Sequence, residues 1–485
     1  MHRRTPRAVL AAAVAAGIAA PAVVAGDDWQ HRFESLESEL SELREQNEAQ
    51  RAELQQLRQE VGEDNWLTDR RAEEMRGLVR DVLADADTRS SLLADGRTAG
   101  WDEDMGFFLR HPDDRFRLQL SGEMQFRYIA NYHDQPDRWR SGFESTRNRL
   151  TFQGHIFNRD FNYLVRGGFD RGQVGAFDET GSFNLLDAWF GWDLTDHWSI
   201  RAGQFKLPFA REELVRSIHQ QTVERSLINQ TMSLGRTQGV ELSFHSREFR
   251  WLAAISEGGQ DRILNSENFF AGAPTINTPA LEETTEYSFT TRGEWLLGGT
   301  WEQFADFTSP MEGDFGWLVG AAGHYQRSEF GTPSPDRQWL AWTVDSSTEF
   351  GGANVFGSFS HFYVDNEDLG RINIFGLVGQ AGMYVTPKVE LFGRFEFGHV
   401  DWNNPGPTVP DEGDLDNLYV GTIGMNYYLD GHDAKFTADL GYGFSKIDTV
   451  GTSPVGWADD LAGWRLDGPG ADPQIVLRTQ FQLLF

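Results

Sequence analysis

The last residues of the chain alternate between two kinds of side chain. One face of an extended segment would carry Ile475, Leu477, Thr479, Phe481, Leu483 and Phe485, and the other Val476, Arg478, Gln480, Gln482 and Leu484. Because successive side chains of a β-strand point to opposite faces, the segment presents an apolar stripe and a mostly polar one. A strand of this kind that ends on an aromatic residue is typical of transmembrane β-barrels, with lipid outside and water inside. The chain's end therefore predicts a barrel.

Composition agrees with a barrel and excludes some other classes. Aromatic residues make up 13% of the chain, yet the mean hydropathy is -0.48, as expected when half of each strand faces water. The formal net charge of -30 argues against a nucleic-acid partner, because phosphate contacts need clustered Lys and Arg. The absence of cysteine excludes disulfides, thiol catalysis and thiolate metal sites.

The N-terminus has the pattern of a secretory signal peptide. Arg3, Arg4 and Arg7 precede an apolar run over 8–20, and Val23 and Ala25 suit a cleavage site. We expect residues 1–25 to be removed on export. No later stretch reaches 18 apolar residues, so no membrane-spanning helix is predicted.

Residues 31–61 follow a heptad pattern that predicts an α-helical coiled coil. Its a positions are Phe33, Leu40, Asn47, Leu54 and Val61, and its d positions are Leu36, Leu43, Gln50 and Leu57. Asn47 and Gln50 form a polar layer that fixes register and oligomer state. A solvated single helix is the alternative. Residues 62–114 show a weaker helical pattern and are interpreted as a helical or linker segment.

From residue 115 to residue 485 the apolar period changes to 2, which predicts an antiparallel barrel. Sixteen candidate strands are 115–132, 147–158, 161–171, 182–194, 198–206, 236–247, 249–257, 284–295, 315–327, 336–349, 353–364, 371–384, 388–400, 415–429, 433–448 and 472–485. Tight turns such as 158–160 alternate with longer loops such as 207–235 and 258–283. The connection 296–314 is an exception, because it is long where this alternation predicts a short turn. Short periplasmic turns and long outer loops are typical of an all-β, 16-stranded transmembrane barrel.

Four segments resemble the phosphate-selective porin O and P family of outer-membrane porins. They are Asp187-Ala188-Trp189, Arg201 to Phe209, Glu224-Arg225-Ser226-Leu227 and Gly235 to Val240. The resemblance implies a homotrimeric porin with sixteen strands, a third loop folded into the lumen, here 207–235, an arginine ladder and anion preference. Phosphate-specific members collect lysines near the channel mouth. This chain has only four, Lys206, Lys388, Lys435 and Lys446, which argues against phosphate specificity.

Twelve cationic side chains are the candidate site. By alternation or by place on the third loop, the pore-lining and anion-interacting candidates are Arg117, Arg127, Arg147, Arg149, Arg166, Arg201, Lys206, Arg211, Arg216, Arg225, Arg236 and Arg478. A file of guanidinium groups would concentrate anions, because their planar forks match phosphate and carboxylate.

Other interpretations of the lumen remain open. The same alternation points carboxylates inward at Glu123, Asp170, Asp187, Glu286, Glu294, Glu390, Glu396 and Asp439. Facing arrays of arginines and carboxylates would screen solutes without choosing one ion. Inward aromatics such as Trp189 could instead stack on sugars.

The sequence thus predicts an outer-membrane porin for passive diffusion of small hydrophilic solutes, and leaves open a general pore or one with anion or phosphate preference. The alternative is a structural tether, in which a periplasmic coiled coil contacts the cell wall and the barrel is the anchor. Expected partners are outer-membrane lipid and lipopolysaccharide, small anionic or neutral solutes, and two further copies of the chain. The histidines lie in no G-x-S-x-G or H-E-x-x-H context, so no enzyme, cofactor or metal site is predicted.

Overall fold

The computed structural model describes most of the chain between residue 98 and residue 485. The described residues are 98–102, 106–134, 137–169, 183–259, 285–328, 337–366, 370–403, 417–445, 447, 457, 463–464 and 474–485. The signal peptide, the coiled coil with Asn47 and Gln50, and residues 62–97 lie outside them and stay predictions. Among the described residues, no helix is long and apolar enough to cross a membrane.

Antiparallel strands make up most of the described chain. They are β1 Thr98–Asp102, β2 Gly106–Arg110, β3 Phe116–Asp134, β4 Asp137–Ile156, β5 Phe161–Gly168, β6 Asn184–Asp193, β7 Trp198–Lys206, β8 Arg236–His245, β9 Phe249–Ser256, β10 Thr285–Gly298, β11 Gly316–Ser328, β12 Arg337–Glu349, β13 Ala353–Asn366, β14 Gly370–Thr386, β15 Val389–Asn403, β16 Asn417–Asp430, β17 Ala434–Gly443 and β18 Gln474–Leu484. The short helical segments are Arg211–Leu214, Ser217–His219, Leu227–Met232 and Gln303–Ala305.

Strands β3–β18 close into a 16-stranded barrel, as the sequence predicts. Each strand pairs with the next, and β18 pairs back with β3 from Gln474↔His133 to Leu484↔Glu123. Side chains alternate as expected: on β12, Leu340 and Val344 are exposed on the outer face, whereas Asp345 is buried inside. The outer face is largely apolar, whereas the inner face carries the buried charged side chains together with an apolar region that includes Ile374 and Val378.

The first two strands were not predicted. Residues 98–102 and 106–110, assigned from sequence to a helical or linker segment, pair as antiparallel strands, β1 and β2. Strand β2 pairs with β3 from Phe107↔Leu120 to Arg110↔Arg117, directly beyond the end of β18. The hairpin therefore continues the barrel wall where β3 would otherwise present a free edge.

Strand β4 also begins earlier than predicted, at Asp137 instead of residue 147. The sequence analysis began this strand at residue 147, but aromatic pairs extend it on the outer face. Trp139 packs on Tyr132, with ring centroids 5.1 Å apart, and Phe143 packs on Tyr128 at 5.0 Å. These cross-strand aromatic pairs stabilise the extension of the hairpin.

The C-terminal residue closes the seam of the barrel. The Phe485 backbone N–H donates to Gly122 O at 3.0 Å, and the Gly122 N–H donates to Phe485 O at 2.6 Å. A Cβ atom at Gly122 would lie 2.5 Å from the Phe485 ring. Glycine is therefore needed at position 122 so that the terminal ring can lie against β3.

We expect Gly122→Val to destabilise the seam by about 1–3 kcal/mol, because the new side chain must displace the Phe485 ring. The measurement is the thermal unfolding midpoint of the detergent-solubilised barrel. Gly142→Val is the matched control, since a Cβ at Gly142 meets nothing within 4 Å. Equal midpoints for the two variants would contradict this account of the seam.

Candidate functional site

The third loop, residues 207–235, lies inside the barrel. It leaves β7, contains the segments Arg211–Leu214, Ser217–His219 and Leu227–Met232, and enters β8. Almost all of its side chains are buried. Ser226 caps the last helix by accepting a hydrogen bond from the Asn229 N–H at 2.9 Å. The loop thus occupies the lumen, as the family resemblance implied.

Apolar side chains fix the loop against one part of the wall. Ile228 and Met232 lie over Gly376 of β14, where a Cβ atom would be 2.5 Å from Ile228 Cγ2. The ring of Phe209 meets that of Phe362 edge-on, with centroids 5.6 Å apart. This packing covers the inner face of the neighbouring strands and leaves no room there for solute.

Polar groups of the wall satisfy the loop's backbone. The Val223 N–H donates to Asp439 Oδ2 at 3.0 Å, and the Leu227 N–H donates to Glu396 Oε2 at 2.6 Å. Lys435 Nζ donates to the carbonyl oxygen of Gln220 at 2.7 Å. Because buried backbone groups need partners, these inward residues of β15 and β17 specify where the loop lies.

Two buried arginines that the sequence analysis missed also hold the loop. Arg292 Nη1 donates to Phe209 O at 2.7 Å and pairs with Asp345 at 2.8 Å. Arg394 Nη1 donates to Glu224 O at 2.8 Å. Arg292 and Arg394 are each two residues from a glutamate, Glu294 or Glu396, that the sequence analysis assigned to the inner face. Strand alternation could therefore have identified both arginines as inward-facing.

Glu224 ties the loop to β3 and β4. Its Oε2 accepts from Arg127 Nη2 at 3.0 Å, and its Oε1 accepts from Arg147 Nη2 at 2.7 Å. The side chain of Glu224 is 2% exposed. Burial raises its pKa, but Arg147 and Arg127 together hold the pKa of Glu224 well below its usual value. Glu224 is therefore ionised and bridges β3 and β4 to the loop.

An open cavity of about 200 Å³ remains between the loop and the wall formed by β3–β8. Its cationic lining comes from Arg149, Arg166, Arg201, Lys206, Arg216 and Arg236, and its acidic lining from Glu123 and Asp187. Its apolar lining comes from Leu164, Trp189, Phe205 and Leu214. We call this cavity the constriction, since the loop closes much of the remaining lumen.

Each cation of the constriction has a carboxylate nearby. The ion pairs are Arg166 and Arg236 with Asp187 at 3.3 and 2.9 Å, Arg149 and Arg216 with Glu123 at 3.1 and 3.5 Å, Arg201 with Glu241 at 2.8 Å, and Lys206 with Glu213 at 3.0 Å. Six cations less these four carboxylates leaves two positive charges. Arg216, with its side chain 42% exposed, is the most accessible of the six.

The other six predicted cations are elsewhere in the barrel. Arg127 and Arg147 hold Glu224. Arg225 pairs with Glu213 at 3.4 Å, Arg478 pairs with Asp439 at 2.6 Å, Arg211 donates to Phe304 O at 2.7 Å, and the Arg117 guanidinium lies 5.7 Å from the Phe108 ring centroid. Five of these six hold the loop or a carboxylate that contacts it, whereas Arg117 lies beside the hairpin. The predicted arginine file is thus divided between lining and anchoring roles.

The long connection 299–315 contacts the third loop. His219 of the loop and His432 of the turn after β16 have ring centroids 5.0 Å apart, and His432 Nε2 lies 3.2 Å from Asp306 Oδ2. Burial, together with the neighbouring His432, lowers the pKa of His219 to about 4. His219 is therefore neutral at neutral pH, and this junction carries a single imidazole–carboxylate contact.

Metal ligation has no support in the described part of the chain. There, no group of three or more acidic or histidine side chains could hold a metal ion. An open pocket of about 460 Å³ beside the connection 299–315 is lined by Glu302, Asp306, Glu312, Asp314 and Glu349. The lining of this pocket therefore carries a negative formal charge.

Comparison with known proteins agrees with this architecture. Residues 118–296 match the sequence model of the family described as phosphate-selective porin O and P. The resemblance to this porin family is confirmed. The matched segment contains the whole third loop and all six cations of the constriction.

Individual relatives are more distant. An uncharacterized protein of Aquifex aeolicus (strain VF5) is 24% identical over 372 residues, which cover 70% of this chain and 83% of that protein. The solved anion-selective porin from Comamonas acidovorans is 11% identical, with a TM-score of 0.51, and the match covers 76% of this chain and 99% of that chain. At this identity the structural likeness shows the porin-like barrel fold alone.

Proposed function

We propose that this protein is an outer-membrane porin that admits small hydrophilic solutes by passive diffusion and prefers anions. The observation that carries the proposal is the lining of the constriction, whose six cations exceed the four carboxylates they pair with by two formal positive charges. The porin-family resemblance and the porin-like fold support a channel over an enzyme. They also support an outer-membrane location and a homotrimer.

Local charge decides selectivity in this proposal. The whole chain has a formal net charge of -30, which alone would favour cations. The acidic lining of the constriction is limited to Glu123 and Asp187, and exposed charges beyond about 10 Å are screened at 0.1 M salt. Cations that line a narrow passage with low-dielectric walls act on each permeating ion at close range. The constriction therefore outweighs the net charge.

Phosphate specificity is not part of this proposal. Only one lysine, Lys206, lines the constriction, and the lining arginines already hold carboxylates. A tightly bound phosphate would compete with Glu123 and Asp187 for the same guanidinium donors. Passage of anions with weak binding is what such a site supports. The tether alternative depends on the coiled coil, which lies outside the described residues, and it receives no support from the barrel.

The full chain, purified and inserted into a planar bilayer, is expected to give single-channel steps. In a KCl gradient, the zero-current potential should have the sign set by chloride, because the constriction repels potassium. A sign set by potassium would reject the anion preference. A bilayer that stays silent at protein densities that conduct for a known porin would reject the channel itself.

A further inference from the structure

The constriction has an apolar patch that anion passage alone does not explain. Leu164 of β5 and Trp189 of β6 are directly opposite each other in the strand register, and Trp189 is opposite Gly203 of β7. Leu214 of the loop also lines the cavity. Leu164, Trp189 and Leu214 are each only partly buried, so they contact the solution in the channel. The patch is one cross-strand row of the inner wall.

Cations flank this patch along the direction of passage. Arg166 is paired opposite Asp187, two residues from the Leu164–Trp189 row toward the outer end. Arg201 is opposite Gly191, two residues from the same row toward the periplasmic end. At about 3.3 Å per residue, each cationic row lies roughly 7 Å from the patch along its strand. The Arg201 guanidinium carbon is 5.7 Å from the Trp189 ring centroid and 4.4 Å from that of Phe205.

A hydrated inorganic anion gains nothing from such a patch, since it would have to lose water against apolar groups. An anion with a flat apolar body has two favourable interactions in the constriction. Its charge stays beside Arg166 or Arg201, and its ring displaces water from Trp189 and Leu164. Resting on the proposed anion preference, we infer that the constriction selects carboxylates carried on an aromatic ring over small aliphatic carboxylates and inorganic anions.

The test compares sodium benzoate with sodium acetate across the full-length channel in planar bilayers. Zero-current potentials against chloride give the two relative permeabilities, and a protein-free bilayer gives the lipid leak to be subtracted. We expect the ratio of benzoate to acetate permeability to exceed the ratio of their free mobilities by roughly threefold, as for one added aromatic contact. Trp189→Ala should remove this excess, and Trp189→Phe should keep most of it.

Two further variants make the result specific. Trp192→Ala is the matched control, because Trp192 lies on the outer face of the same strand with 47% exposure, and it should leave the ratio unchanged. Leu214→Gln alters the patch from the loop side and leaves the barrel wall unchanged. It should lower the ratio of benzoate to acetate permeability, so the inference can be tested even if the Trp189→Ala protein does not insert into the bilayer. Trp192→Ala should also keep the wild-type preference for chloride over sodium.

The outcomes separate this inference from the proposed function. A wild-type channel that favours chloride but passes benzoate no better than acetate overturns the inference and leaves the anion preference standing. A ratio that neither Trp189→Ala nor Leu214→Gln changes also overturns it. A wild-type channel that favours sodium overturns both.

Discussion

Replacing Glu224 by glutamine is expected to release part of the third loop from β3 and β4 and to raise the single-channel conductance. The substitution leaves Arg127 and Arg147 buried without the carboxylate that both contact. Breaking a buried ion pair by removing one partner costs about 3 kcal/mol or more. Because the constriction lies between the loop and this wall, movement of the loop should widen it. Single-channel recording in KCl measures the change.

Glu312→Gln provides the control for Glu224→Gln. Glu312 is exposed on the connection 299–315, so this variant removes the same charge without touching the loop.

The wild-type channel itself should keep its conductance at pH 5. The pKa of Glu224 in the folded protein is below that of an ordinary glutamate. Ionised Glu224 therefore stabilises the loop fully at any pH above the ordinary pKa, and this stabilisation is lost only as the pH falls through the lower, folded-state pKa. An unchanged conductance in Glu224→Gln would mean that the other loop contacts suffice.

The sequence predicted the barrel because its strands obey one local rule. Alternation with a period of 2 depends only on which face of the strand each residue occupies, so it can be recognised without knowing the partner strand. Strand β7 was predicted with its observed bounds, Trp198–Lys206. The closing pair of β18 with β3 followed from the amphipathic C-terminus and from an even strand number. These features need no information about the lumen.

The division of the arginines into lining and anchoring groups could not be predicted in this way. Arg147 and Arg149 are both inward-facing neighbours on β4, yet Arg147 holds Glu224 and Arg149 lines the constriction. Which role each takes depends on where the third loop crosses, and the loop is placed by wall residues distant in sequence, such as Asp439 and Glu396. Strand parity gives the face of a residue but not its partner across the lumen.

The hairpin β1–β2 was missed for a related reason. Its strands have five residues each, too short for alternation to separate them from a linker. What makes them strands is the free edge that β3 offers beyond the last residue of β18. That edge exists only in the closed barrel, so tertiary pairing decides the local structure.

Neutralising Arg149, Arg201 and Arg216 together by glutamine is expected to turn the channel from anion to cation preference. The three guanidinium groups belong to the constriction, and their removal leaves Glu123 and Glu241 without their ion-pair partners. A lining with six cations would be reduced to three, now facing carboxylates that are no longer compensated. The measurement is the zero-current potential in a KCl gradient, whose sign should reverse.

Position must be separated from total charge in this experiment. Arg115, Arg159 and Arg247 are exposed residues away from the constriction, and their replacement by glutamine changes the net charge by the same amount. If the constriction sets selectivity, this second triple variant keeps the wild-type potential, since exposed charges are screened by salt. Equal shifts in both triple variants would instead assign selectivity to the charge of the whole protein. Glutamine is chosen because its amide can still donate a hydrogen bond to Glu123 or Glu241, which limits the cost in stability.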